Sequence, residues 1–320
     1  MASPELPQLV AIIGPTAVGK TELSLDLAES LNAEIISVDS RQVYRQLDIG
    51  TAKATRAERE RIPHHLIDVA EPTERFSASR FVELAITAID GICSRGKTIL
   101  LVGGTPFYFR ALLSGALTAN LPSDPGIRLG LEESIRREGK EEMHRRLRAL
   151  DEETAARIHP NDAVRVVRAL EIHALTGHPP SEVFQTREPM TFPARTLYIG
   201  LNRSREEIRK RICLRALQQF ENGFPEEVAS LLEKGIDERY PSMQGLGYRE
   251  LVAFHRGRIS LEEALDSTIR TSCAFARRQM TWFSKFEPAV WYDMTRSEGK
   301  SSLRDDILGK IAESQRGGRI

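Results

Sequence analysis

Gly14, Pro15, Thr16, Ala17, Val18, Gly19, Lys20 and Thr21 match the spacing G-x-x-x-x-G-K-[ST]. Glycines at these places let backbone N–H groups converge on phosphate oxygens, and the lysine adds a point charge beside them. A helix starting near Thr21 contributes its N-terminal dipole, and the Thr21 hydroxyl is placed for Mg²⁺. The chemistry implied is the grip on a phosphate chain. Whether a nucleoside triphosphate or another diphosphate carries it, the loop leaves open.

A second group is Asp39, Ser40, Arg41 and Gln42. A carboxylate beside a phosphate loop can ligate Mg²⁺ or act as a general base, and the three residues after it offer donors and acceptors for the edge of a nucleobase. Asp39 could equally cap a helix starting at Ser40. Gly103 and Gly104, ahead of Thr105, fit either close approach of the backbone to a ligand or helix–sheet packing. Phe107, Tyr108 and Phe109 read as core. Arg165 and Arg168 stand three apart on a helix that Asn161 or Asp162 can cap, a cationic ridge that is either solvated or in contact with nucleic acid. Further on, Phe275, Arg278, Trp282 and Lys285 share one helical stripe, an arrangement that suits RNA or inward-packed aromatics with snorkelling cations.

The elements that must position these groups are an alternation of strands and helices. Apolar runs at 9–13, 34–38, 65–69, 98–102 and 196–201 read as buried parallel strands, with helical patterns between most of them. This is the pattern of an open α/β sheet, in which ligands gather beyond the carboxyl ends of the strands. The segments there are GPTAVGKT, DSRQVY, GGTPFY and NRSR. From 121 to 188 no good strand appears, and after Asn202 the pattern stays helical. The expected organisation is an α/β P-loop sheet flanked by helices, formed by 1–120 and 195–320, with a helical insertion at 121–194 and a helical C-terminal part. The closing SQRGGRI reads as a frayed tail.

With 45 Lys+Arg against 45 Asp+Glu in 320 residues, net charge gives no argument for a polyanionic partner, and any basic surface must come from local segregation. Cys93, Cys213 and Cys273 are few, odd in number and far apart, which fits reduced, structural thiols. His64 and His65 adjoin, but no second cluster gives them metal-ligand spacing. No run is long enough to span a membrane, so a cytoplasmic, soluble protein is expected. On the loop alone a small-molecule or nucleotide kinase competes with a transferase, as does a regulatory nucleotide-binding module without chemistry.

The ordered set GPTAVGKT, DSRQVYRQLDIGTAK, HHLID, LVGGTPFYFRALL, ARIHPNDAVRVVRALE, GLGYRE and ARRQMTWF resembles the tRNA dimethylallyltransferase family over residues 8 to 285. The resemblance implies transfer of a dimethylallyl group from its diphosphate to N6 of adenine 37 in tRNA, with Mg²⁺ and without ATP, by a cytoplasmic enzyme expected to be a monomer. It implies that Gly14 to Thr21 grip the diphosphate, Lys20 and Thr21 most directly, and that Arg215 serves the diphosphate end. Asp39 would take the N6 proton. Ser40, Arg41, Gln42, Thr105, Asp124 and the run Ala163, Val164, Arg165, Val166, Val167 would contact tRNA. The sequence departs from the family where Ser272, Cys273 and Ala274 replace a common Thr-Arg-Gln, removing a positive charge, and where Glu152 replaces a common Pro. Glu and Pro both suit the first turn of a helix, so little consequence follows from the second.

Overall fold

Runs of Ile, Val and Leu without polar alternation require cover on both faces, and the strands they form here are buried along nearly their whole length. The structure, a computed structural model, describes residues 8–115, 117–118, 121–186, 189–190, 192–295 and 300–316. The chain opens with β1 (Gln8–Ile13), α1 (Lys20–Ser30), β2 (Ala33–Val38), α2 (Arg56–Arg61), β3 (His64–His65), α3 (Ala78–Ser94), β4 (Thr98–Gly103) and α4 (Pro106–Leu113). It continues through β5 (Leu117–Thr118), α5 (Pro125–Glu138), α6 (Lys140–Leu150), α7 (Glu152–Arg157), α8 (Ala163–Thr176), α9 (Pro180–Gln185) and β6 (Pro189–Met190). It closes with β7 (Arg195–Asn202), α10 (Arg205–Glu221), α11 (Phe224–Glu233), α12 (Tyr248–His255), α13 (Leu261–Phe283), β8 (Ala289–Asp293) and α14 (Lys300–Arg316).

By contacts the chain divides into Met1–Ser114 with Phe192–Ile320, and Gly115–Thr191. The first unit holds a six-stranded parallel sheet in the order β3-β2-β4-β1-β7-β8. Its core joins β1, β2, β4 and β7 to residues of α1, α10, α13 and α14. A second cluster packs Val43, Tyr44 and Leu47 against α11 and α12. The Gly115–Thr191 unit is helical apart from the short antiparallel β5–β6 ladder. Its core is Met143, Leu147, Ala155, Val166, Ala169 and Leu170, with Glu171 wholly buried beside them in α8.

The sheet differs from the expectation at both edges. Of the third run, 65–69, only His65 pairs with β2, joined by His64 just ahead of it, because Leu66 (φ 63) and Asp68 (φ 58) take left-handed conformations that turn the chain out of the ladder. Asp68 then receives Lys53 at 2.7 Å and Arg59 at 2.7 Å. The C-terminal part is not all helical, since β8 pairs in parallel with β7. β8 is only partly buried, so its residues lack the apolar continuity that marks a central strand. Of the SQRGGRI tail, Ser314 to Arg316 belong to α14, and 317–320 lie outside the described residues. Phe107 is 41% exposed, whereas Tyr108 and Phe109 are core as read. Cys93 is exposed rather than buried, on the outer face of α3.

Candidate active site

The turn after β1 is shaped by backbone constraints before any side chain acts. Gly14 has φ 148, and a Cβ there would stand 2.6 Å from the Leu201 carbonyl of β7. Gly19 (φ 111) ends the turn, and α1 begins at Lys20, one residue earlier than the sequence reading placed it. Lys20 donates from Nζ to the Gly14 carbonyl at 2.9 Å and the Pro15 carbonyl at 2.8 Å. Burial pushes its ammonium down to about 7, against an opposing pull from Asp39 and a further push from Arg215. Thr21, exposed in the first turn of α1, lines a cavity shared with Lys20.

Three arginines outside the loop hold its backbone and side chains. Arg215 donates to Thr16 Oγ1 at 2.8 Å, Arg211 to the Ala17 carbonyl at 2.7 Å and Arg203 to the Val18 carbonyl at 2.9 Å. Arg211 and Arg215 lie one turn apart on α10, so one helix face reaches the loop twice. Burial pushes the Arg215 guanidinium below the ordinary arginine value, with Asp39 pulling the other way and Arg211 pushing further down. From α13, Gln279 accepts from the Thr16 N–H at 2.8 Å and donates to the Gly104 carbonyl at 2.5 Å. Gly104 leaves the space for that amide: a Cβ there would come within 2.6 Å of Gln279 Nε2. The sequence reading singles out NRSR and ARRQMTWF, which contain Arg203 and Gln279, but assigns a role to neither residue, nor to Arg211. The available signals were the NRSR segment at the carboxyl end of β7 and the i, i+4 spacing of Arg211 with Arg215.

Asp39 ends β2 on the same cavity. Its Oδ1 accepts from the Arg41 N–H at 2.8 Å and the Gln42 N–H at 3.3 Å, so it caps a tight turn; no helix starts at Ser40. Thr105 Oγ1 accepts from the Ser40 N–H at 3.1 Å, which fixes that turn to the end of β4. Arg41 reaches the Pro241 carbonyl at 2.5 Å. Gln42 accepts from Ser37 Oγ at 2.8 Å and donates to the Thr51 and Ala52 carbonyls at 3.3 Å each. Both ends of its amide are therefore engaged within the protein.

Loop, carboxylate and arginines enclose one cavity of about 480 Å³. Thr16 to Thr21, Asp39, Arg211, Arg215 and Gln279 line it, together with Leu25, Val102 and Phe275. It thus offers hydrogen-bond donors and positive charge for a diphosphate, apolar surface, and the Asp39 carboxylate, with Glu22, Asp26 and Glu58 also on its lining. The donor set fits Mg²⁺ in the usual way for that ion, a hydroxyl from Thr21 with the remaining oxygens supplied by phosphate and water.

Asp124 and 163–167 belong to the Gly115–Thr191 unit. Asp124 caps α5, accepting from the Ile127 N–H at 2.8 Å. Asp162, and not Asn161, caps α8. Val164 (81% exposed) and Arg165 face solvent, with Ala163 intermediate. Val166 and Val167 are buried, which corrects the expectation that the whole run contacts a ligand: they sit on the inward face of α8 with Ala169 and Leu170. Ser272 is buried in α13, and Glu152 opens α7 behind its cap Asp151.

The fold and cavity define an α/β protein whose glycine-lysine loop, two arginines of α10 and the Asp39 carboxylate line one cavity at the carboxyl end of a parallel sheet. The family model for IPP transferase matches residues 42–286, and the chain belongs to this family. It is similar to a tRNA dimethylallyltransferase of Thermomicrobium roseum, 41% identical over 98% of this chain and 94% of the relative. One from Geobacter metallireducens is 43% identical over 92% and 94%. Among solved structures, the full-length tRNA isopentenylpyrophosphate transferase of Bacillus halodurans superposes with a TM-score of 0.71 at 40% identity, covering 97% of this chain and 98% of that one. A eukaryotic dimethylallyltransferase acting on tRNA superposes with a TM-score of 0.81 at 28% identity, covering 97% and 80%. None of these relatives is a kinase.

Proposed function

We propose that this chain transfers a dimethylallyl group from dimethylallyl diphosphate to N6 of adenine 37 in tRNA, releasing diphosphate. The observation that carries the reading is the placement of Asp39, Lys20 and Arg215 around one cavity that also has apolar walls. The loop N–H groups, Lys20 and Arg215 hold the diphosphate, and Leu25, Val102 and Phe275 face the prenyl group. Adenine N6 is a poor nucleophile, so the protein contributes fixed proximity to the allylic carbon and a base for its proton. The N6–C bond forms as the C–O bond to diphosphate breaks; the N6 proton passes to Asp39. Negative charge grows on the leaving diphosphate, where preorganised donors act most strongly. Mg²⁺, held through Thr21, supplies further charge neutralisation when bound.

Ser40, Arg41 and Thr105 form the turn beside the extruded base, and Gln42 acts by holding that turn against Thr51 and Ala52. Asp124, Ala163, Val164 and Arg165 serve the tRNA from the insertion. Extruding a stacked base costs a few kcal/mol, which such contacts offset. The enzyme works as a cytoplasmic monomer; among the described residues no helix is long and apolar enough to cross a membrane. Labelled dimethylallyl diphosphate and unmodified tRNA test the reaction: label entering adenosine 37 without ATP is expected, and ATP consumption with no label in tRNA would overturn it.

A further inference from the structure

A second cavity, of about 700 Å³, shares no lining residue with the first. Pro15 contributes one wall, from the same loop whose next six residues line the first cavity. α13 separates the two by turning Phe275 and Gln279 to one and Cys273, Ala276 and Met280 to the other. Four arginines, Arg203, Arg205, Arg209 and Arg277, line the second cavity, and no carboxylate does. In a chain with equal numbers of acidic and basic residues, that is a marked local segregation. Arg203 is held by the Val18 carbonyl and stands 4.0 Å from Glu207. The guanidinium groups of Arg205, Arg209 and Arg277 have no hydrogen-bond or ion-pair partner among the described residues.

Between these cations the surface is apolar, from Pro15, Ile208, Ala276 and Met280. Asn202, Ser204 and Thr281 add neutral polar groups. Guanidinium forks pair with phosphate oxygens two at a time, and the start of α10 at Arg205 adds its dipole in the same direction. Apolar floor, cationic rim and a volume in the range of small-molecule sites together select an amphipathic anion.

We propose that this cavity is a second ligand site, for a phosphate ester or diphosphate carried on an apolar body larger than five carbons. The ligand's phosphate sits among Arg205, Arg209 and Arg277, and its apolar body covers Ile208, Ala276 and Met280. Arg203 lines this cavity while holding the Val18 carbonyl of the phosphate loop, so occupancy is felt by the first cavity through one side chain.

The test uses full-length protein and labelled geranyl diphosphate as probe. Lys20→Ala removes the lysine grip of the first cavity, and wild type saturated with a non-reactive thiolo analogue of dimethylallyl diphosphate blocks it without mutation. Both preparations should still bind one equivalent of probe. Combining Arg205→Ala and Arg209→Ala should weaken that binding tenfold or more, while prenyl transfer to tRNA without the probe stays within twofold of wild type. Absence of binding in both blocked preparations would overturn the proposal, as would binding indifferent to the two arginines. Inorganic diphosphate binding there as tightly as the probe would show a site for bare anions, and displacement of the probe by unmodified tRNA would show an RNA contact; either result rejects the amphipathic ligand.

Discussion

Arg168 donates to Glu171 Oε2 at 2.7 Å, and Glu171 has no exposed surface at all. The same carboxylate receives Arg128, Ser123 Oγ at 2.8 Å and the Asp124 N–H at 3.0 Å, while Arg168 also donates to the Pro122 carbonyl at 2.8 Å. Two residues that look alike on the cationic ridge therefore have different work. Arg168 fixes the entry of the insertion to α8; Arg165 is 63% exposed and only loosely paired with Asp162 at 3.3 Å.

Arg168→Ala should accordingly destabilise the protein by about 2 kcal/mol, because it strips one partner from a buried carboxylate that keeps Arg128. Arg165→Ala should leave stability within about 0.5 kcal/mol and weaken tRNA binding, lowering its salt dependence by close to one counterion. Thermal unfolding and tRNA titration at two salt concentrations separate the two. Equal behaviour of the variants would refute the assignment.

Asp39→Asn should lower the prenyl transfer rate about 10²-fold while changing tRNA affinity only a few fold, since the amide preserves the acceptor for the Arg41 and Gln42 N–H groups but cannot take a proton. Single-turnover transfer is the measurement. A rate near wild type would remove Asp39 from the base role, and a collapse of Tm would mark it as only a cap.

The Lys20 ammonium gives a pH dependence with a definite sign. Its folded-state pKa, about 7, lies below the ordinary lysine value of 10.5, so between these limits the unfolded chain binds more protons and stability from this group rises with pH. Diphosphate binding favours the protonated amine and runs the other way. Affinity for inorganic diphosphate should fall as pH rises from 6.5 to 8.5, relative to a Lys20→Arg variant in which the cation is permanent. Calorimetry in buffers of different ionisation enthalpy should detect proton uptake in wild type alone. Parallel pH profiles for the two proteins would show that Lys20 is already charged.

Gln279→Leu breaks the link from α13 to the phosphate loop at Thr16 and its link to the end of β4 at Gly104. Gly104→Ala should do much the same from the other side by crowding the Gln279 amide. Each should weaken diphosphate binding roughly tenfold, in line with about 1.4 kcal/mol for a lost hydrogen-bond bridge that leaves a buried partner. Intact affinity in both would mean the loop keeps its shape without α13.

Several features were legible in the sequence because local rules decide them. The glycine-lysine spacing of residues 14–21, the apolar continuity of β1, β2, β4 and β7, and the cap-and-period signature of the insertion helices each lie within a few turns of chain. Family motifs supplied the reaction. What the tertiary structure decided involves partners far apart in sequence: Arg203, Arg211 and Arg215 reach back some two hundred residues to Val18, Ala17 and Thr16, and Gln279 reaches 263. No periodicity encodes such pairings, since they depend on where α10 and α13 come to rest against the sheet. The same reason hid β8, whose half-buried residues become a strand only by pairing with β7, and shortened β3, where two left-handed residues overrule an apolar run. It also divided Arg165 from Arg168 and Val164 from Val166: helical spacing puts each pair on one element, but only the packed core of the insertion determines which side chain is buried.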